Sequence, residues 1–195
     1  VVNELLGINS FDNILSDPID VTDEILSSST FSNSDTIYEL VNENYYISTT
    51  LQSRLLIGSD GRNAINNIII RSKNGNKARI TLRDSDAQGF WFFMGNNITL
   101  ENIIFTGESN FNQDVFCISM NANVTIKNCV FENFANNYRN RNLILVGKYN
   151  PNRPAASEAT FENCQFINCS ALNYFLKVSD VNSVKINGCT FDNVS

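Results

Sequence analysis

The side chains best suited to chemistry or binding gather between residues 137 and 153. Tyr138, Arg139 and Arg141, with Asn137, lie in the polar run ENFANNYRNRN; Lys148, Tyr149 and Arg153, with Asn152, lie in GKYNPNRPAAS, Gly147 to Ser157. Aromatic faces beside guanidinium and amide groups fit sugar rings or acidic polymers. They fit a protein partner equally well, because Tyr and Arg are enriched among interface anchors. A solvated charge cluster without a ligand has the same composition. The carboxylates Asp84, Asp86, Glu108 and Asp114 stand in turn-like segments, where Asp is ordinary turn chemistry, so a Ca²⁺ site is the weaker reading there. No metal or cofactor is expected.

The chain has no histidine. That removes Ser-His-Asp and Cys-His nucleophile pairs, the commonest metal ligand, and imidazole acid-base catalysis. Lyase chemistry survives, with Lys148 as base and Arg139 or Arg141 neutralising a uronate. It is the enzymatic alternative to a domain expected to have no catalytic residues.

Five cysteines leave several uses open: disulfides, metal ligands, a nucleophile or core. Cys129, Cys164 and Cys189 recur at one position of a repeat and read most simply as packed core, since unpaired Cys behaves as a small hydrophobe. A bridge between neighbouring strands about 4.8 Å apart is within reach, although its side-chain geometry is awkward. Cys117 and Cys169 fall elsewhere in the repeat.

The elements that must position these groups are written in a near-repeat: NITLENIIFTG from Asn97, NVTIKNCVFEN from Asn123, EATFENCQFIN from Glu158 and SVKINGCTFDN from Ser183. Alignment stacks Leu100, Ile126, Phe161 and Ile186 in one column, and Asn102, Asn128, Asn163 and Gly188 in a second. Ile103, Cys129, Cys164 and Cys189 form a third, and Phe105, Phe131, Phe166 and Phe191 a fourth. Within each unit, apolar residues alternate up to the Asn and then alternate again one residue out of phase. That predicts two strands joined by a sharp corner. The corner needs a left-handed backbone, which Asn tolerates and Gly adopts freely, so the Asn/Gly column is a turn requirement rather than a ligand set. A third apolar run precedes each unit: Phe90 to Met94, Phe116 to Met120, Leu143 to Val146 and Tyr174 to Val178. In the first of these, alternation from Phe90 would bury Phe90, Phe92 and Met94 and turn Trp91 and Phe93 outwards. Three short strands per coil of about 25 residues predict an all-β, right-handed parallel β-helix.

Further strands are expected at Thr36 to Val41, Tyr45 to Ser48, Leu55 to Gly58, Asn67 to Ser72 and Ala78 to Leu82. Residues 1–35 read as an N-terminal cap with a short helix beginning at Asp17-Pro18, Asp as N-cap and Pro at the first helical position; residues 36–195 read as the coils. The coils are expected to continue in a longer parent chain, because an open parallel-sheet end invites pairing.

Lines such as NVTIKNCVFENF and SDTIYELVNENYYIS resemble the right-handed β-helix repeats of adhesin-like surface proteins of gut methanogens and, more loosely, repeats in secreted scaffold proteins of other anaerobic gut microbes. The resemblance covers roughly Asp35 to Ser195 and is specific for the fold but not for the function, since the same coil carries polysaccharide lyases, phage tailspikes and adhesins. The stretch NNIIIRSKNGNKARITL is similar to the opening coil of alginate-lyase-type enzymes. Pectin-hydrolase-type β-helices typically set a His beside their carboxylates, and this chain departs from that pattern. The resemblance implies a non-catalytic, extracellular or cell-surface adhesin-like or scaffold domain, binding a glycan or an extracellular protein through one lateral loop face. Unpaired thiols in an exported protein agree with an anoxic habitat. A third possibility is a structural spacer that assembles end to end.

Charge and composition narrow the partners. Residues 1–60 hold ten acidic side chains against Arg54, a net of −9, and residues 61–195 hold thirteen basic against ten acidic, a net of +3, which gives the overall −6. Neither part carries the basic stripe that nucleic acid requires. No run of 18 apolar residues predicts membrane insertion in this segment. Four sequons, at Asn97, Asn123, Asn168 and Asn193, are possible glycosylation acceptors in an exported protein.

Overall fold

The computed structural model describes residues 19–21, 35–48, 55–58, 67–73, 75–83, 91–94, 97–107, 115–119, 122–136, 142–147 and 157–195. Among them all regular structure is β, in strands that pair in parallel. The first sheet runs in the order β1 (Ile19–Val21), β2 (Thr36–Leu40), β5 (Asn67–Ser72), β8 (Asn97–Glu101), β11 (Asn123–Lys127), β15 (Glu158–Glu162) and β18 (Ser183–Asn187). The second contains β3 (Asn44–Ser48), β6 (Ala78–Arg83), β9 (Ile103–Gly107), β12 (Val130–Glu132) and β16 (Gln165–Ala171). On β16 also pair β13 (Ala135–Asn136) and β19 (Thr190–Val194). The third comprises β4 (Leu55–Gly58), β7 (Trp91–Met94), β10 (Phe116–Ser119), β14 (Asn142–Gly147) and β17 (Tyr174–Ser179).

The pairing follows from two-residue periodicity. In β5, Ile68 and Ile70 are buried while Ile69 and Arg71 are partly exposed, and the neighbouring β8 repeats the alternation in register. A slip of one residue would turn every apolar side chain outwards, so burial of one face fixes the register. The columns read from the repeat are the observed ones: Leu100, Ile126, Phe161 and Ile186 are successive partners, as are Phe105, Phe131, Phe166 and Phe191. The phenylalanine rings stack along the second sheet with centroids 5.2, 5.0 and 5.0 Å apart. Phe116 from the third sheet meets Phe105 and Phe131 edge-on at 5.3 and 5.2 Å.

The corner between the first and second sheets is the left-handed one expected. Asn102, Asn128 and Asn163 have φ of 58°, 51° and 52°, and Gly188 has 61°. The ladder passes unbroken through it, because the amides of Asn102, Asn128 and Asn163 donate to the carbonyls of Lys127, Glu162 and Asn187 in the next strand. A second left-handed set, Asn133, Asn168 and Asn193, lies five residues after Asn128, Asn163 and Gly188, with φ of 58°, 51° and 51°.

The expected N-terminal helix is corrected over Ile19–Val21. These residues form β1 and pair in parallel with Tyr38, Glu39 and Leu40. An apolar-polar-apolar triplet with two β-branched residues suits a pleated edge, and pairing satisfies backbone groups of β2 that a helix there would leave open. Asp20 is further held by Lys73 at 2.5 Å. The rest of the expected cap lies outside the described residues.

The outward columns of the first sheet are as ordered as its core. At the last outward position, Glu39, Arg71, Glu101, Lys127 and Glu162 are successive partners of alternating sign. Arg71 binds Glu39 at 3.0 Å, an arrangement that like charges would reverse. On the second sheet Arg79 reaches Thr106 at 2.6 Å and pairs with Glu132 two strands away.

The third sheet differs. Phe116, Ile118, Ile144 and Val146 belong to the core, yet the alternating residues Cys117, Ser119 and Leu145 are buried too, so over β10 and β14 neither face of this sheet is free surface. The register pairs Trp91 with Phe116 and Phe93 with Ile118.

Candidate functional site

Strand β14 organises the candidate binding region. Residues 137–141, with Tyr138, Arg139 and Arg141, lead into its start, and residues 148–156, with Lys148, Tyr149 and Arg153, follow its end; both segments lie outside the described residues, as do Asp84, Asp86, Glu108 and Asp114. The two segments read together in the sequence are therefore attached to opposite ends of a six-residue strand. Five steps of about 3.3 Å separate those attachment points by roughly 17 Å.

The foundations of the insertion are firm. Asn123 pairs with Glu158 across a 35-residue step, against 26 for Asn97 to Asn123 and 25 for Glu158 to Ser183, and all five residue pairs of β11 and β15 stay in register. The extra residues therefore leave the sheet undisturbed. At the start of β14, Asn142 accepts a bond from Asn173 Nδ2 at 3.0 Å. At its end, Gly147 has φ of 138°, a conformation that favours glycine. Where the insertion rejoins the sheet, the Ser157 hydroxyl is buried without a hydrogen-bond partner, the one such side-chain group among the described residues.

Comparison of the chain with protein-family models, with curated proteins and with solved structures finds no match. The functional reading therefore rests on the chain's own residues.

The four sequon asparagines are rungs of hydrogen-bond ladders. Asn97 Nδ2 donates to Asn67 at 3.1 Å and Asn123 Nδ2 to Asn97 at 3.0 Å; Asn168 Nδ2 donates to Asn133 at 3.4 Å and Asn193 Nδ2 to Asn168 at 2.9 Å. Asn67 is in turn anchored on Asp35. Each nitrogen that would carry a glycan thus already makes an inter-strand bond, which explains these asparagines without a modification. Sequence reading missed the second corner because Asn168 and Asn193 were absorbed by the sequon pattern. The five-residue offset from Asn163 and Gly188 was the available signal.

The cysteines are all unpaired. Cys117, Cys129, Cys164 and Cys169 are buried, and Cys189 is partly exposed. Four of them follow a left-handed residue and share one geometry. Cys129, Cys164, Cys169 and Cys189 each direct Sγ to the carbonyl two residues back, at 3.2 to 3.5 Å. Each also reaches a carbonyl of the preceding coil, Leu100, Ile126, Phe131 or Phe161. Loss of solvation on burial pushes the Cys164 and Cys169 thiols up to about 11, and raises Cys129 as well. Among the described residues no cluster of three or more His, Cys, Asp or Glu could hold a metal, and no helix is long and apolar enough to cross a membrane.

Thiol chemistry should follow this burial. With the native protein near pH 8, Cys189 is expected to react with a disulfide reagent first, and Cys129, Cys164 and Cys169 only on unfolding; peptide mass mapping of labelled cysteines would check it. The linkage sign is that of acids whose folded pKa is raised: stability is full below the ordinary thiol value near 9.0 and is lost as pH rises through about 11. Urea midpoints should therefore fall between those pH values, and less so in a Cys164→Ala, Cys169→Ala variant.

Proposed function

We propose that the chain is a right-handed parallel β-helix of three strands per coil, and that it serves as a non-catalytic, extracellular adhesin-like or scaffold domain binding a glycan or a partner protein through a lateral face. Three parallel sheets entered in turn by successive strands support the architecture. The observation that carries the functional reading is the in-register insertion between β14 and β15. Residues added between β14 and β15 are not needed for the register of β11 with β15, which stays intact, and such loops on rigid scaffolds are where binding residues concentrate. The unsatisfied Ser157 hydroxyl at its foot supports the same view, since stability alone would favour Ala there.

The separation across β14 sets the kind of ligand. The segment carrying Tyr138, Arg139 and Arg141 joins β14 at one end and the segment carrying Lys148, Tyr149 and Arg153 at the other, and attachment points roughly 17 Å apart favour an extended acidic or neutral oligosaccharide over one sugar ring. Rim-type cationic and aromatic contacts of this sort give specificity with modest affinity per site, and avidity then comes from several copies. Binding to a panel of soluble and insoluble polysaccharides, beside a variant with Arg139, Arg141, Lys148 and Arg153 all changed to Ala, tests the reading. Binding lost by at least tenfold in the variant is expected. Equal binding by both proteins would move the site away from this coil, and no binding by either would leave a protein partner.

A further inference from the structure

The ladder between the first two sheets opens at the corner that joins β2 to β3 and β5 to β6. Lys73 N donates to the Leu40 carbonyl at 3.1 Å, and Arg79 N to the Glu43 carbonyl at 2.8 Å. Between these two bonds the chain advances three residues in the first turn and six in the second, so the longer turn cannot stack on the shorter one. At Asn102, Asn128 and Asn163 the corner is a single left-handed residue whose amide keeps the ladder bond. The mismatch leaves a solvent-open cleft of about 40 Å³, room for roughly three water-sized groups. Its apolar lining includes the buried Leu40 and Ala78; its polar lining is Asn42 and Glu43 from one turn and Asn76 and Lys77 from the other. Both turns are held by bonds that use none of these four side chains: the backbone N–H of Asn42 donates to the hydroxyl of the buried Tyr45 at 2.9 Å, and the backbone carbonyl of Asn76 accepts from the Ser72 hydroxyl. Glu43 and Lys77 form no ion pair with each other or with any other described residue.

We propose that this cleft binds a free α-amino acid by its charged head group, with the ammonium on Glu43 and the carboxylate on Lys77. This goes beyond the lateral binding reading and does not depend on it, because the cleft lies at the corner of the first and second sheets and β14 belongs to the third. Charge selects the ligand class. A simple anion drawn to Lys77 is repelled by Glu43, and a simple cation drawn to Glu43 is repelled by Lys77. A ligand that carries both charges one carbon apart is attracted at each end. The side-chain amides of Asn42 and Asn76 each offer a donor and an acceptor, so either end of such a ligand gains a further charge-assisted bond. Size agrees with charge: an ammonium, one carbon and a carboxylate fill the cleft, whereas a sugar ring exceeds it. The α-carbon then meets Leu40 and Ala78, and the side chain of the ligand extends through the open mouth. The site therefore reads the head group and is tolerant of the side chain. Two charge-assisted contacts in an open cleft predict a Kd on the order of 1 mM, raised further by salt.

Titration of the ¹⁵N-labelled protein with glycine, followed by amide chemical shifts, tests the proposal; the same spectra confirm that each variant is folded. Saturable shifts centred on Asn42, Glu43, Asn76 and Lys77 are expected. N-acetylglycine, which lacks the cation, and glycinamide, which lacks the anion, should each bind at least tenfold more weakly than glycine, whereas alanine and serine should match it within about threefold. Glu43→Gln and Lys77→Gln should each weaken glycine binding about tenfold or more, and Glu43→Gln should bring glycine and N-acetylglycine close to equal affinity, a change that a merely structural role would not produce. The variant with Arg139, Arg141, Lys148 and Arg153 changed to Ala should bind glycine as the wild type does, which separates this outcome from that of the polysaccharide test. Absence of saturable shifts at these residues, equal binding of glycine and its singly charged analogues by the wild type, or unchanged binding in Glu43→Gln and Lys77→Gln would each overturn it.

Discussion

Replacing Phe131 with alanine should lower the unfolding free energy by about 3–5 kcal/mol. The ring is fully buried and is held on three sides, by Phe105 at 5.2 Å, Phe166 at 5.0 Å and the edge-on Phe116 at 5.2 Å. Its truncation removes the transfer free energy of the ring and leaves a cavity. Neighbours cannot collapse into that space readily, because β12 is clamped between β9 and β16 by ladder bonds that fix the strand spacing. Urea unfolding should show a lower midpoint with an unchanged slope. Phe191→Ala is the internal control. The same residue type in the same column has its ring half in water, so about 1–2 kcal/mol is expected there. Equal losses at the two positions would contradict a core that runs as a column through the coils.

Gly147→Ala should be at least as damaging, by about 3 kcal/mol or more, although it adds a single methyl group. Two effects combine at this residue. Its φ of 138° lies where L side chains are rarely found, and a Cβ would collide with the carbonyl oxygen of Ser179, with the Ser179 carbonyl carbon and Oγ also crowding it at 2.9 and 3.0 Å. The obstacle is the backbone of the paired strand β17, so no rotamer change relieves it. Gly75→Ala separates the terms: its φ of 73° is also left-handed, but a Cβ there meets open space. Only the conformational strain of about 1–2 kcal/mol applies. Thermal unfolding of the two variants side by side gives the comparison, and a Gly147→Ala protein no less stable than Gly75→Ala would refute the close approach. Gly147 also ends β14 where the long insertion begins, so the variant should disturb any binding that depends on Lys148, Tyr149 and Arg153.

The registers seen in the structure were largely written in the sequence. Asn102, Asn128, Asn163 and Gly188 sit at a left-handed corner because only such residues tolerate positive φ at low cost, and that demand marks the sequence at every turn. The phenylalanine column was legible for a similar reason, since a period of two together with a repeat of 25 to 35 residues leaves one alignment that buries it. Tertiary pairing overrode the local signal at Ile19–Val21, where Asp17-Pro18 is a good helix start but the open edge of β2 takes the following residues as a strand. Local signals describe what a segment prefers alone, and an unpaired ladder edge outweighs them.

The chain by itself determined the parallel β class, the columns and the corner, because each repeats a backbone or burial requirement at fixed spacing. Only the tertiary structure decided three further matters. The sequon asparagines donate along ladders, since that depends on which coils are neighbours. The third sheet is buried on both faces over β10 and β14, since burial depends on what packs against it. The segment with Arg139 and Arg141 and the segment with Lys148, Tyr149 and Arg153 attach to opposite ends of β14, since the residues between them form an extended strand.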